Sequence, residues 1–279
     1  MSAFLHRLAD AQRATTSTLC VGLDPVVKLL PEPLLRTRSV EDALVTFCLD
    51  VAEATAPYAC AFKVNVAFFE VHGVMGWRAL HRVLSQLPAS HIRIADAKRG
   101  DIGNTAQYYA EAFFTQMGAD ACTVAPYMGA DAVRPFLQYA DKAAFVLGRT
   151  SNASAADFQN LRPNGGDPLY LHVSRKVAEW SDEASGQAGL VVGATAPEEL
   201  RQIREICPTL PFLVPGVGAQ GGSAETVMQQ AATAEGRVLV NSSRQILYAK
   251  RDGVYHARDR HYAEAAAAQA QALQAALVP

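Results

Sequence analysis

The densest group of charges in the chain is Asp96-Ala97-Lys98-Arg99-Gly100-Asp101, directly after the apolar run Ile92–Ala95. In an extended segment successive side chains point to opposite faces, so Asp96 and Lys98 share one face and Ala97 takes the other. A carboxylate alternating with an ammonium at the end of a buried strand is costly unless the two are paired. A paired, fixed ammonium can deliver a proton. A solvated turn is the plainer reading, and the cost of unpaired charge weighs against it. Lys63 stands alone in the apolar run Ala61-Phe62-Lys63-Val64-Asn65. It either snorkels at a strand end or, with its strand beside the one carrying Asp96 and Lys98, joins them in an alternating network of charge. Carboxylates on either side keep a lysine protonated, which makes it an acid and not a nucleophile. Asp24, in Gly22-Leu23-Asp24-Pro25, ends another apolar run. Asp-Pro is a common turn start, and a carboxylate there can equally accept hydrogen bonds from sugar hydroxyls.

A second kind of chemistry is suggested near the C-terminus. Pro215-Gly216-Val217-Gly218-Ala219-Gln220-Gly221-Gly222 contains G-x-G-x-x-G. As a dinucleotide fingerprint it is poorly placed, because it lies late in the chain and the next strand ends at Asn241, not at an acid. Glycines there suit a backbone cradle for phosphate, with Arg244 of Asn241-Ser242-Ser243-Arg244 as the fixed cation. The seven histidines form no H-E-x-x-H or H-x-x-E-H motif, so no metal site is expected.

These residues need elements to hold them. Short Val/Ile/Leu/Ala-rich runs predict strands at Thr18–Leu23, Cys60–Val64, Ile92–Ala97, Ala121–Ala125, Ala144–Leu147, Leu190–Gly193, Phe212–Val214 and Val238–Val240. None alternates cleanly, as expected of strands buried on both faces of a parallel sheet. Helical periodicity lies between them, as in Val40–Ala54 with Ser39 as N-cap, Met75–Leu87, Thr105–Met117, Ala132–Tyr139, Pro197–Ile206 and Ser223–Ala234. Eight such units predict an α/β fold of the (β/α)8 barrel type, with a doubly wound sheet as the alternative. Candidate charges then fall at strand C-terminal ends, where barrels carry their chemistry, and the phosphate cradle falls after strands seven and eight. One domain over residues 1–279 is expected, with an insertion after strand five (about 151–189, including a helix near Leu171–Trp180) and a C-terminal helix over about 257–277.

Composition narrows the partners. The chain has 279 residues, 50% hydrophobic and 19% charged, with a net charge of −2. A balance this close to neutral gives no electrostatic footprint for nucleic acid or an anionic membrane. Five scattered cysteines without a C-x-x-C pair fit a reducing compartment. The charged opening segment is not a secretory signal, and prolines interrupt the one long uncharged run, so a cytoplasmic protein is expected.

Asp96-Ala97-Lys98-Arg99-Gly100-Asp101-Ile102-Gly103-Asn104-Thr105 resembles the signature of the orotidine 5'-phosphate decarboxylase family. The resemblance runs from Gly22-Leu23-Asp24-Pro25 to Ser242-Ser243-Arg244. It is closest to the longer bacterial subgroup (type 2), through Phe62-Lys63-x-Asn65, Ala67-Phe68-Phe69-Glu70 and Arg149-Thr150-Ser151-Asn152. Val64 replaces a proline common in that subgroup, and Ala153-Ser154 a Pro-Gly pair. The resemblance implies a homodimeric (β/α)8 barrel that converts orotidine 5'-monophosphate to uridine 5'-monophosphate and CO2 in pyrimidine biosynthesis, with neither cofactor nor metal. By motif position, Lys98 is similar to the lysine that protonates C6 of the pyrimidine, and Asp96 to the aspartate beside the departing carboxylate. Lys63 resembles the lysine bridging that aspartate and the ribose, and Asp24 the ribose-binding aspartate. Asp101 and Thr105 resemble residues that reach into the partner subunit's site. Ser151, next to Thr150, would meet the pyrimidine edge. Gln220 and Arg244, with amides around Gly218 and Gly221, would hold the phosphate. Three rivals share parts of this pattern: a magnesium-dependent sugar-phosphate lyase or decarboxylase, a Schiff-base aldolase needing a neutral lysine, and a catalytically silent nucleotide-phosphate-binding protein.

Overall fold

Eight short apolar runs become eight parallel strands in a computed structural model of the chain, which describes residues 1–217, 221–235, 237–251, 254–255 and 261–277. The strands are β1 (Leu19–Leu23), β2 (Ala61–Asn65), β3 (Ile92–Arg99) and β4 (Ala121–Val124), then β5 (Ala143–Arg149), β6 (Gln187–Val192), β7 (Phe212–Pro215) and β8 (Val238–Ser242). Each pairs with its sequence neighbour and β8 closes on β1, giving a closed barrel and not a doubly wound sheet. The register sets Gly22 beside Lys63, Asn65 beside Asp96, and Pro215 beside Asn241.

The helices are α1 (Ala3–Thr15), α2 (Glu32–Thr37), α3 (Val40–Thr55), α4 (Ala67–Glu70), α5 (Gly73–Gln86) and α6 (Gly103–Glu111). They continue with α7 (Ala130–Val133), α8 (Leu169–Asp182), α9 (Pro197–Ile206), α10 (Ala224–Ala231), α11 (Arg244–Leu247) and α12 (Tyr262–Ala276). Ser39 caps α3 by accepting from the Asp42 N–H, as its position predicts. The segment 151–189 differs from expectation at its far end. Only 150–168 is irregular, built around the turns Ala153–Asp157 and Pro163–Gly165. Helix α8 is the ordinary cover of β5 and β6, and β6 starts at Gln187 because Gln187 extends the ladder opposite Ala143. Of the expected C-terminal helix, residues 257–260 lie outside the described residues.

Helix α1 closes the base of the barrel. Ser2 caps it, and Phe4, Leu5 and Leu8 bury into the same cluster as Ile94, Phe145 and Leu239 from the barrel interior. Its polar side chains tie to strand starts: Ser2 to Gln187, Arg7 to Asp120 and Gln12 to the Val238 carbonyl. Among the described residues no helix is long and apolar enough to cross a membrane, and all five cysteines are buried free thiols.

Candidate active site

Strand alternation builds the site in layers. Ala61, Ile94, Ala121, Phe145, Leu213 and Leu239 face inward as an apolar floor. Two residues further along the same strands stand Lys63, Asp96, Thr123, Leu147, Pro215 and Asn241, which line a cavity of about 720 Å³. The period of two carries the interior from packing to chemistry within a single step.

At the floor of this cavity the charges alternate. Lys63 Nζ donates to Asp96 Oδ2 at 2.8 Å and lies 3.8 Å from Asp24 Oδ1. Lys98 Nζ donates to Asp96 Oδ1 at 2.6 Å. Asp24, Lys63, Asp96 and Lys98 thus form one chain of acid, base, acid and base. Lys63 and Asp96 are 4% and 8% exposed, so solvent screens their interaction little. Burial alone would pull the Lys63 ammonium toward neutrality, but Asp24 and Asp96 outweigh it and hold its pKa above the ordinary lysine value. Burial would likewise push the Asp96 carboxyl up, and Lys63 and Lys98 reverse this, holding it well below the usual carboxylate range. Lys98 stands half-exposed at the rim, facing the open volume.

The rest of the wall comes from loops. Thr150 and Ser151 line the cavity after β5. The Thr150 hydroxyl donates to Asn152 Oδ1 at 2.6 Å and accepts from Gln159 Nε2 at 2.7 Å, so Gln159, folding back from the 150–168 segment, fixes this loop. Gly216, Val217 and Arg244 line the side formed by the ends of β7 and β8. β7 lies across the closed ring from β3, so this wall faces the Asp96–Lys98 pair. Gly216 and Gly221 take φ of 102° and 86°, a backbone that residues with a Cβ rarely adopt. Gly221 does not line the cavity within the described residues, and Gly218 and Gln220 lie outside them. Gly22 lets the β8 end approach, since a Cβ there would sit 1.8 Å from Ser243 Oγ. Asp24 Oδ1 and Ser242 Oγ, on two cavity-lining residues, are buried without a hydrogen-bond partner among the described residues. Such atoms suit a hydroxylated ligand.

Asp101 and Thr105 are not brought to this cavity within the chain. Asp101 accepts from the Ile102 N–H at 2.8 Å in the turn after β3, and Thr105 lies in the first turns of α6. Thr123, Asn65, Gln159 and Ser242 line the cavity or hold its rim without having been singled out by sequence. Asn65 had a signal, a polar residue at the inward position of an apolar strand.

Residues 17–259 match the family described as "Orotidine 5'-phosphate decarboxylase / HUMPS family". The chain belongs to this family. It is 45% identical over 259 residues to an orotidine 5'-phosphate decarboxylase of Roseiflexus castenholzii, covering 92% of this chain and 93% of the relative. It is 47% identical over 259 residues to one from Bordetella pertussis, covering 88% and 90%. Among solved structures, Leishmania donovani OMP decarboxylase superposes with a TM-score of 0.80 at 37% identity, covering all of both chains. The span matched to the orotidine 5'-phosphate decarboxylase family includes the whole chain of charges from Asp24 to Lys98 and the Arg244 wall.

Proposed function

We propose that the protein decarboxylates orotidine 5'-monophosphate to uridine 5'-monophosphate and CO2, the step that completes a pyrimidine nucleotide. The observation that carries this reading is the alternating row Asp24–Lys63–Asp96–Lys98 in a barrel mouth whose opposite wall is glycine backbone and Arg244. The wall holds the phosphate dianion, Arg244 supplying the guanidinium, with Gln220 and amides around Gly218 and Gly221 assigned to it by motif position. Asp24 and Lys63 take the ribose hydroxyls, and Ser151 the pyrimidine edge.

The reaction breaks the C6–carboxylate bond. CO2 leaves, and the electron pair stays on C6 in the ring plane, where ring resonance cannot absorb it. Stabilisation must therefore come from a fixed positive charge. Lys98 supplies that charge, then donates a proton to C6 and is reprotonated from solvent. Asp96 holds the ammonium in place from 2.6 Å and, beside the substrate carboxylate, raises the energy of the bound ground state. Lys63, kept protonated by two acids, is unsuited to Schiff-base formation. Phosphate binding, remote from C6, supplies the energy that closes the loops around the ring. Asp101 and Thr105 complete the site of a second copy in a homodimer. Their absence from the lining of their own cavity, with Ile102 and Tyr108 near them in the chain exposed, supports that arrangement.

An ultraviolet assay for loss of the orotidine monophosphate chromophore tests the reading. Purified protein is expected to consume it without added metal and in the presence of chelator, and Lys98→Ala to lose kcat on the order of 1000-fold while still binding uridine 5'-monophosphate. A protein that binds the nucleotide and leaves the chromophore untouched is a binding protein instead.

A further inference from the structure

The ladder between β3 and β4 breaks where the charges stand. Ala95 pairs with Cys122 and Arg99 with Val124, so Asp96, Ala97 and Lys98 all face the single residue Thr123. A bulge at a strand end re-aims side chains, here at the cost of main-chain partners. Lys98 also sits at φ +46°, the left-handed region that a long side chain visits only when its surroundings hold it there.

Thr123 supplies the hold. Its Oγ1 accepts the Lys98 N–H at 2.9 Å and donates its own proton to Asp96 Oδ1 at 2.8 Å. The side chain is 1% exposed, so water does not compete for either bond. One hydroxyl thus replaces the missing ladder acceptor and fixes the carboxylate that receives the Lys98 ammonium. Only an alcohol serves both purposes from one atom: valine has the same shape and offers neither a donor nor an acceptor.

We propose that Thr123 is a positioning residue of the decarboxylation site, clamping the bulged end of β3 so that the Lys98 ammonium is aimed at C6. The inference rests on the function proposed above. Without the hydroxyl, the Lys98 N–H loses its acceptor and Asp96 Oδ1 keeps only the ammonium it is meant to hold. The backbone is then free to leave the left-handed region and carry Lys98 away from the reacting atom. Phosphate and ribose contacts come from other strands and are not disturbed.

The test compares Thr123→Val, Thr123→Ala and Thr123→Ser with the parent protein. Val and Ala are expected to lower kcat about 100-fold, the cost of an ångström-scale misplacement, with KM changed by less than about threefold. Ser is expected to recover most of kcat. Parental kcat in either hydroxyl-free variant, or a Ser variant as slow as Val, overturns the proposal. Crystal structures of the Val and Ser variants give a readout that needs no turnover. Lys98 should leave φ +46° and lose Asp96 in Val, and keep both in Ser; retention of both in Val overturns the positioning role. Parental protein inert toward orotidine monophosphate sinks the functional reading instead, and the crystallographic comparison still decides whether Thr123 clamps Lys98.

Discussion

Asp96 accepts from two ammonium groups and one hydroxyl, and this concentration of donors on one buried carboxylate has thermodynamic consequences. Its carboxyl is held below its ordinary value in the folded state, so the group contributes stability above about pH 4 that is lost as pH falls through the folded pKa. Lys63 behaves in the opposite sense. Its pKa is raised, so its contribution is complete below the ordinary lysine value of 10.5 and fades only as pH climbs through the still higher folded value. The Lys63–Asp96 ion pair is therefore intact across the whole neutral range. Asp96→Asn leaves Lys63 with only the more distant Asp24 and Lys98 with no acid, and should cost about 3 kcal/mol at pH 7, measured by urea denaturation. The gap between variant and parent should narrow below about pH 4; a gap independent of pH would show that the carboxylate charge is not what the fold uses. These charged residues were legible in the sequence because an acid or lysine inside an apolar run has few reasons to be there. Thr123 was not, since a threonine in a strand such as Ala-Cys-Thr-Val is ordinary, and only the broken register reveals what its hydroxyl does.

Among the elements, strands were the most readable. Each of the eight barrel strands overlaps its expected span, because burial on both faces forces an uninterrupted apolar run that loops do not carry, whereas the short pair Lys250–Arg251 and Val254–Tyr255 was not anticipated. Irregular features were harder. The segment after β5 is expected as an insertion over about 151–189 with a helix near Leu171–Trp180. That helix is α8, its buried Tyr170, Leu171, Ser174 and Val177 recurring at helical spacing among charged residues, and only the stretch before it is irregular. Helix α1, by contrast, was not anticipated. Its Phe4, Leu5, Leu8 and Ala11 stripe is present, but charged residues between them dilute it, and nothing local says that the stripe faces a barrel floor. The structure makes the floor's dependence on α1 explicit: Phe4 is fully buried, edge-on to Phe145 at 6.2 Å. Phe4→Ala opens a cavity beneath the layer that carries Lys63 and Asp96 and is expected to destabilise the fold by about 3–5 kcal/mol. Because the charge chain hangs from the strands and not from α1, kcat of the folded fraction should stay close to that of the parent. A large loss of kcat without a loss of stability would mean that the floor sets the position of the charges directly.

For the whole molecule, the decisive question is whether one chain makes one site. Asp101 and Thr105 follow the strand that carries Asp96 and Lys98, yet they do not line their own cavity, and Ile102 and Tyr108 near them in the chain stand exposed. In the homodimer proposed above, an isologous interface at this loop would deliver each Asp101 to the mouth of the other barrel, since a two-fold axis that moves one loop across must move both. A shared site has a consequence that a self-contained one lacks. Asp101→Ala and Lys98→Ala should each be nearly inactive alone. In a mixed dimer, one site joins the intact Lys98 of the first chain to the intact Asp101 of the second, and the other site carries both lesions. Random exchange of equal amounts makes about half the dimers mixed, so about a quarter of all sites become competent. Activity on mixing should rise toward that fraction over the time of subunit exchange, with the substrate affinity of the parent. Exchange demonstrated by differently tagged chains, with no return of activity, would place Asp101 in the service of its own barrel and remove the reason for the dimer in this chemistry.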